Sequence, residues 1–214
     1  MDAVSSDEMK KALQTGTTTV GLVGGDGIVF AADKRATMGT FIASKDIDKI
    51  YMIDDHIAIT IAGSVGDAQM LIRWLRVEML KYRHDNEKRI SVEAAATLLA
   101  NILSNSKYVP FWIQILMGGC DDKPRLFSID MVGGVTEETK TSTGSGSPIA
   151  FGVIDTNYGK DMKVSELIPI AVKSVWAAMG RDSATGEFID VITITKDGYR
   201  KLQKEEIEKL IKVF

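Results

Sequence analysis

The sequence has 214 residues, of which 45% are hydrophobic and 26% are charged, and its formal net charge is −3. This composition is typical of a folded globular domain and excludes a disordered chain, a collagen-like fibre and a disulfide-stapled miniprotein. The near balance of charges indicates neither nucleic acid nor an anionic membrane surface as a partner.

The first 15 residues differ from the rest of the chain because they are polar and contain no apolar run. They lack the apolar core of about 7–15 residues that a secretory signal needs, so we expect a cytoplasmic protein. The single cysteine, Cys120, agrees with a reducing compartment because it has no partner for an internal disulfide. Gly16 and three threonines follow, and residues 18–23 predict a strand from their β-branched content.

Strand and turn signals dominate the first third of the chain. Residues 18–24 and 28–33 flank a GGDG turn and predict a hairpin, and residues 49–54 and 56–62 flank Asp54-Asp55 and predict another. Ser64 is expected to cap a helix over 65–84, and Ser91 a second helix that ends near residue 106. A strand over 111–117 follows Pro110.

The second half repeats this order. Strands are predicted over 126–130 and 134–143, and a loop over 144–148 leads into a helix with Pro148 in its first turn. A further helix is predicted over 164–179, with Pro169 near its N-terminal end. A strand over 188–195, a turn over 196–198 and a helix over 204–213 complete the chain. Because strands and helices come in runs, we expect one domain of two face-to-face sheets with helix pairs outside.

The inventory of catalytic residues is small. The sequence has two histidines, His56 and His84, and it has no phosphate-binding P-loop, no CxxC and no HExxH. We therefore expect no metal, no cofactor and no Ser-His-Asp triad. The longest apolar stretches, about eight to ten residues, are too short to span a bilayer. A threonine that carries a free N-terminal amine remains as an activated nucleophile, because that amine has a pKa of about 7.7–8.0.

Six motifs occur in order along the chain: GTTTVG at 16–21, ADKRAT at 32–37, Lys49-Ile50, AGSVGDA at 62–68, GSGS at 144–147 and RDSATG at 181–186. Together they make the sequence similar to the β subunits of the proteasome core particle, most closely the archaeal type. The resemblance covers nearly the whole chain beyond the first 16 residues. It implies the N-terminal nucleophile hydrolase fold, an α+β four-layer αββα sandwich.

The resemblance also implies a cleavage site and a set of catalytic residues. Residues 1–16 would form a propeptide that is removed autocatalytically between Gly16 and Thr17, which leaves residues 17–214 as a single peptidase domain. Thr17 would be the nucleophile, with Asp33 and Lys49 as its acidic and basic partners. The full set of implied catalytic residues is Thr17, Asp33, Lys49, Gly63, Ser145, Asp182 and Thr185.

The substrate pocket is implied in the same way. Its residues would be Arg35, Ala36, Thr37, Ile47, Tyr51, Ile61 and Val65. A small Ala36 and the apolar wall formed by Ile47, Ile61 and Val65 predict cleavage after large hydrophobic residues. The backbone of Thr37 would pair with an extended substrate as an added strand.

The implied partners follow from the ring architecture of the family. Seven copies would form a homo-heptameric β ring, and two such rings would be stacked between two rings of proteasome α subunits. A regulatory ATPase would act indirectly through the α ring, and the substrates would be unfolded polypeptides. Neither a nucleic acid nor a membrane is expected as a partner.

Three alternatives remain open. One is a non-catalytic ring subunit of the same fold, in which Asp33 and Lys49 form only a structural ion pair. Another is a binding or interaction module without chemistry, which would neither cleave itself nor react with hydroxyl-directed electrophiles. The third is the simpler bacterial two-ring peptidase, against which the RDSATG segment and the C-terminal helix argue.

Overall fold

The computed structural model describes residues 16–214, so nearly all of the predicted propeptide lies outside the described residues. The strands are β1 (Thr19–Val23), β2 (Gly27–Asp33), β3 (Ala36–Met38), β4 (Phe41–Ser44), β5 (Ile50–Asp54), β6 (Ile57–Gly63), β7 (Ile113–Cys120), β8 (Pro124–Ile129), β9 (Val135–Glu138), β10 (Lys140–Thr143), β11 (Ile189–Thr195) and β12 (Gly198–Lys201). The helices are α1 (Val65–Asn86), α2 (Val92–Asn105), α3 (Ser147–Asn157), α4 (Val164–Met179) and α5 (Lys204–Ile211).

Two five-stranded antiparallel sheets form the centre of the fold. The first sheet has the order β10-β1-β2-β11-β12, and the second has the order β5-β6-β7-β8-β9. Strands β3 and β4 form a separate hairpin. The two predicted hairpins are confirmed, since β1 pairs with β2 and β5 pairs with β6. The GGDG turn closes the first of them, with Gly24 N donating to Gly27 O at 2.8 Å.

Three layers of apolar side chains hold the four layers of secondary structure together. Between the sheets lie buried residues such as Phe30, Leu116 and Ile192. Helices α1 and α2 pack on the outer face of the second sheet, and α3, α4 and α5 pack on that of the first. The predicted αββα sandwich and its α+β class are therefore confirmed.

Serine caps start both helices of the first pair, as predicted. The Ser64 hydroxyl accepts a hydrogen bond from Asp67 N at 3.4 Å, and the Ser91 hydroxyl accepts one from Ala94 N at 3.1 Å. Each cap satisfies a backbone N–H that has no partner within the helix. The cap at Ser64 matters for the site because it starts the helix directly after Gly63, the last residue of β6.

The structure differs from the prediction at residues 134–143, which form two strands in different sheets. Strand β9 belongs to the second sheet and β10 to the first, with a bend at Thr139 between them. β-branched residues occur on both sides of the bend, so the sequence alone does not show a change of partner. Pro169 lies inside α4, in its N-terminal half. Strands β3, β4 and β12 were not predicted.

None of the helices within residues 16–214 combines the length and the hydropathy that crossing a membrane would require.

Candidate active site

Thr17 lies two residues before β1, and its side chain is buried. Its hydroxyl donates a hydrogen bond to the carbonyl oxygen of Gly16 at 2.6 Å. Its backbone N–H donates to the Ser145 hydroxyl at 3.2 Å, and the Gly16 N–H donates to the Thr37 hydroxyl at 3.0 Å. The hydroxyl of Thr17 is thus held against the peptide group that precedes it.

A buried carboxylate lies next to Thr17, at the end of β2. Asp33 is fully buried, and its Oδ1 accepts hydrogen bonds from Lys49 Nζ at 2.7 Å and Thr18 N at 2.9 Å. Its Oδ2 accepts bonds from Gly186 N at 2.9 Å and Arg35 N at 3.1 Å. Four donors offset the cost of burying the charge, so the position of Asp33 is defined on both of its oxygens.

Lys49 pairs with Asp33 from the irregular segment before β5. Its side chain is only 5% exposed. Burial lowers the pKa of Lys49 below the usual lysine value, although the charge of Asp33 and the hydrogen bond to it act in the opposite direction. Lys49 therefore releases its proton more readily than a surface lysine does.

A second polar cluster lies on the other side of Thr17. Asp182 Oδ2 accepts hydrogen bonds from the hydroxyls of Ser145 and Thr185, each at 2.5 Å. The Thr185 hydroxyl is also 2.7 Å from the Thr18 hydroxyl. The sequence-predicted Ser145, Asp182 and Thr185 are therefore brought together beside the Thr17 backbone.

Thr18 was missed by the sequence analysis, although it links the two clusters. Its N–H contacts Asp33 and its hydroxyl contacts Thr185, and its side chain is fully buried. Its position next to the predicted nucleophile was the one available signal. The bond to Thr185 joins residues that lie 167 positions apart, so no local pattern could indicate it.

Two glycines leave space for the backbone around Thr17. Gly63 has φ +133°, and a Cβ there would lie 2.1 Å from Trp112 O. Gly144 has φ +93°, and a Cβ there would lie 2.1 Å from Thr17 O. Since residues with side chains avoid such φ values, both positions require glycine. Gly144 was not assigned a role from the sequence.

A small cavity beside Thr17 collects most of the predicted substrate-binding residues. It is lined by Gly16, Thr17, Arg35, Ala36, Ile47, Asp48, Lys49, Tyr51, Ile61, Gly63, Val65 and Ala68. Of the predicted pocket residues, Thr37 does not line this cavity. Its hydroxyl accepts a hydrogen bond from Gly16 N. Asp48 and Ala68 line the cavity without having been predicted.

Arg35 lines this cavity, but its guanidinium is engaged elsewhere. It donates to Ser183 O at 2.8 Å and to Glu187 Oε1 at 3.1 Å. These bonds hold the segment that carries Asp182 and Thr185 against the end of β2. Arg35 therefore stabilises the segment that carries Asp182 and Thr185, and its guanidinium is not directed at the cavity.

An open groove of about 950 Å³ adjoins the small cavity. Its walls include Trp112, Met131, Ser145 and Ala184. Gly16 and Gly63 line both the groove and the cavity. The Gly16–Thr17 peptide group thus lies where a narrow cavity meets a wider groove, as a scissile bond would with side-chain subsites around it.

One group within the described part of the chain has its carboxylate and imidazole atoms close enough to bind a metal: Asp54, Asp55 and His56. Asp55 already pairs with Arg83 at 3.3 Å and with Arg89 at 2.5 Å. His56 is buried and bonds to Asp55 and to the backbone. The cluster therefore has the partners of a structural ion-pair network.

Comparison with known proteins identifies the family. The family model described as "Proteasome subunit" matches residues 13–194. The protein named "Proteasome subunit beta" from Methanocaldococcus vulcanius is 52% identical over 199 residues, which cover 92% of this chain and 89% of the relative. The one from Archaeoglobus profundus is 48% identical over 206 residues, with 95% and 96% covered. "Proteasome subunit beta 2" from Pyrococcus furiosus is 49% identical over 197 residues, with 92% and 96% covered.

The family match agrees with the site. A buried threonine, a buried Asp–Lys pair and a Ser–Asp–Thr cluster meet at one end of an αββα sandwich. The chain therefore belongs to the proteasome subunit family, as a β subunit of the archaeal type with the N-terminal nucleophile hydrolase fold and threonine-type endopeptidase activity.

Proposed function

We propose that the chain cuts its own Gly16–Thr17 bond and then cleaves peptide bonds of unfolded polypeptides with the Thr17 hydroxyl. The observation that carries this proposal is the 2.6 Å separation between Thr17 Oγ1 and the Gly16 carbonyl oxygen. That contact lies at the edge of the cavity that Lys49 also lines. A nucleophile, a basic side chain and a candidate scissile bond are therefore adjacent.

In self-cleavage, Thr17 Oγ1 attacks the carbonyl carbon of Gly16. The C–N bond then breaks, the Thr17 nitrogen takes up a proton, and an ester remains on Oγ1 until water hydrolyses it. The Thr17 nitrogen is an amide at this stage and cannot serve as a base, so Lys49 or water must accept the hydroxyl proton. The lowered pKa of Lys49 supports this role because it makes neutral lysine more accessible.

In the mature chain, the free amine of Thr17 becomes available. The Lys49 ammonium, held by Asp33, favours the deprotonated hydroxyl by Coulomb attraction. The amine, or a water beside it, passes the proton to the leaving amine, and water later releases the acyl group from Oγ1. The Gly63 N–H is proposed to stabilise the tetrahedral oxyanion, and Ser145 to hold the new N-terminus.

The walls of the cavity support a preference for large hydrophobic residues on the acyl side of the scissile bond. Ala36 leaves space, and Ile47, Ile61 and Val65 supply apolar contacts. Faster cleavage after acidic than after hydrophobic residues would contradict this specificity.

Membership of the family implies assembly with α subunits in a core particle. We propose homo-heptameric β rings, two of them stacked between two α rings, with a regulatory ATPase acting through the α ring. Exposed apolar side chains on α1 support subunit contacts, since Met70, Trp74, Val77 and Leu80 are all at least 43% exposed. Native mass spectrometry of the chain co-expressed with an α subunit would give the stoichiometry.

The experiment that tests this function is Thr17→Ala in the assembled particle. We expect the bond between residues 16 and 17 to stay intact and peptide hydrolysis to be abolished. Thr97→Ala is the matched control, since Thr97 lies on the exposed face of α2 and its hydroxyl donates to Glu93 O of the same helix. Unchanged turnover in Thr17→Ala would remove Thr17 from the mechanism. An intact N-terminus and no hydrolysis in the wild type would favour a non-catalytic subunit.

A further inference from the structure

We propose that Lys34 is a positioning residue, whose ammonium holds the segment 46–49 so that Ile47 and Lys49 face the active-site cavity. The inference rests on the proposed role of Lys49. Lys34 belongs to a cluster of charged residues on the far side of that segment. The Lys34 cluster consists of Lys34, Asp46, Asp48, Asp190 and Lys201.

The segment that carries Ile47 and Lys49 needs an anchor because it has no regular secondary structure. Residues 46–49 lie between β4 and β5 and belong to neither strand. Two backbone hydrogen bonds hold it, from Ile47 N to Lys34 O and from Ile61 N to Lys49 O, each at 3.0 Å. Side-chain contacts must therefore define the rest of its conformation.

Two ion pairs hold the segment. In one the segment supplies the cation, and in the other it supplies the anion. Asp33 accepts from Lys49 at 2.7 Å, and the next residue, Lys34, donates to Asp48 at 3.0 Å. Consecutive side chains of an extended chain point to opposite faces, so the two pairs act on opposite sides of the segment. The first pair is proposed to serve catalysis, whereas the second has had no assigned role.

Lys34 contacts three carboxylates at once. Its Nζ lies 2.6 Å from Asp46, 3.0 Å from Asp48 and 3.5 Å from Asp190, and its side chain is 14% exposed. Burial disfavours its charge, but the bonds to Asp46 and Asp48 outweigh this and raise the pKa of Lys34 above the usual value. The ammonium is therefore charged at every pH at which the enzyme would work.

Loss of the ammonium would leave mutually repelling carboxylates beside the cavity. Lys201 pairs with Asp190 at 3.0 Å, but it lies 3.9 Å from Asp48. Lys201 is also 48% exposed. It is thus a weak substitute for Lys34. Without the ammonium we expect the segment to shift and to displace Lys49 even in a folded chain. A small displacement of a catalytic group is enough to cost about a hundredfold in rate.

The test compares Lys34→Met, Lys34→Arg and Lys201→Met in core particles co-expressed with an α subunit. Each particle is assayed with one peptide cleaved after Leu and one cleaved after Ala. We expect Lys34→Met to lower kcat at least tenfold on both peptides and to reduce the preference for Leu, because Ile47 moves with Lys49. Lys34→Arg should recover most of kcat, and Lys201→Met should stay within twofold of the wild type.

An assembled, processed Lys34→Met particle with wild-type kcat, KM and Leu-to-Ala preference would overturn the inference. Should that variant not assemble, Asp46→Asn and Asp48→Asn each remove one partner of Lys34, and lower kcat in these particles is expected. Wild-type kinetics in both would overturn the inference equally. Thr17→Ala separates the two proposals, since activity surviving there would refute the threonine mechanism whatever the Lys34 variants show.

Discussion

Gly16 and Ala184 are packed so closely that a Cβ on residue 16 would lie 1.7 Å from the Cβ of Ala184. We expect Gly16→Ala to push the carbonyl away from the Thr17 hydroxyl and to slow self-cleavage at least tenfold. The intact mass of the chain, followed over time after assembly, measures this rate.

The contact with Ala184 also predicts a rescue. Ala184→Gly removes the colliding methyl group, so Gly16→Ala combined with Ala184→Gly should process faster than Gly16→Ala alone. Ala184→Gly by itself is the control and should process at close to the wild-type rate. Equal rates in the single and double Gly16 variants would show that the collision does not control processing.

The lowered pKa of Lys49 predicts opposite pH dependences for the two reactions. In the proposed mechanism the mature enzyme uses the ammonium, so kcat should fall as pH rises through a midpoint below the usual lysine pKa of about 10.4. Self-cleavage uses neutral lysine or water as base, so its rate should rise over the same range. Rate profiles of mature particles and of freshly assembled precursor, with assembly checked by native mass spectrometry, measure both.

Lys49→Arg is the control for this pH dependence. A guanidinium keeps its charge at every accessible pH, so the alkaline fall in kcat should disappear, although kcat itself should drop because the planar group does not fit the same contact. An alkaline limb with the same midpoint in Lys49→Arg would assign that limb to another group.

The hydrogen bonds of the Thr185 hydroxyl predict that two conservative substitutions will differ in kcat. Its hydroxyl bonds to both Asp182 and Thr18. Thr185→Ser keeps both bonds and should retain activity within about twofold. Thr185→Val keeps the shape but loses a hydrogen bond to a carboxylate, which contributes about 1.5–3 kcal/mol, so kcat should fall tenfold or more. Equal kcat in the two variants would show that the hydroxyl is dispensable.

Ala36 predicts how specificity changes when the cavity is filled. Ala36→Leu adds apolar volume beside Ile47 and Val65 in a cavity that has little spare space. We expect kcat/KM for peptides cleaved after Leu or Phe to fall at least tenfold, and that for cleavage after Ala to fall much less. Ala36→Gly is the control and should preserve the preference. An equal loss on all peptides would place the specificity pocket elsewhere.

The sequence predicted the parts of this molecule that depend on local pattern. The α4 helix matches its predicted bounds, Ser64 and Ser91 cap their helices, and both hairpins occur. The motifs indicated residues that the structure brings together around Thr17 and Thr18. Contacts between distant parts of the chain could not be predicted from local pattern. The hydrogen bond between the hydroxyls of Thr18 and Thr185 is an example.

The split of residues 134–143 was missed for the same reason. Strands β9 and β10 have continuous β-type patterns, and only their partners differ, which is a property of the assembled sandwich. The Lys34 cluster likewise combines the residue that follows β2 with residues from the segment before β5, from β11 and from β12. Its members resemble ordinary surface charges until the fold places them together.

At Thr139 the chain passes from the second sheet to the first. The geometry of the candidate catalytic centre therefore depends on the two sheets staying packed together. Strand β9 lies in one sheet, β10 lies in the other, and β10 leads directly into Gly144, which packs on the Thr17 carbonyl. Separating the sheets would pull on this connection and withdraw Gly144 from Thr17. A chain whose sheets have separated therefore loses the backbone contact that supports Thr17, the proposed nucleophile, together with its core. We expect such a partly opened chain to be inactive.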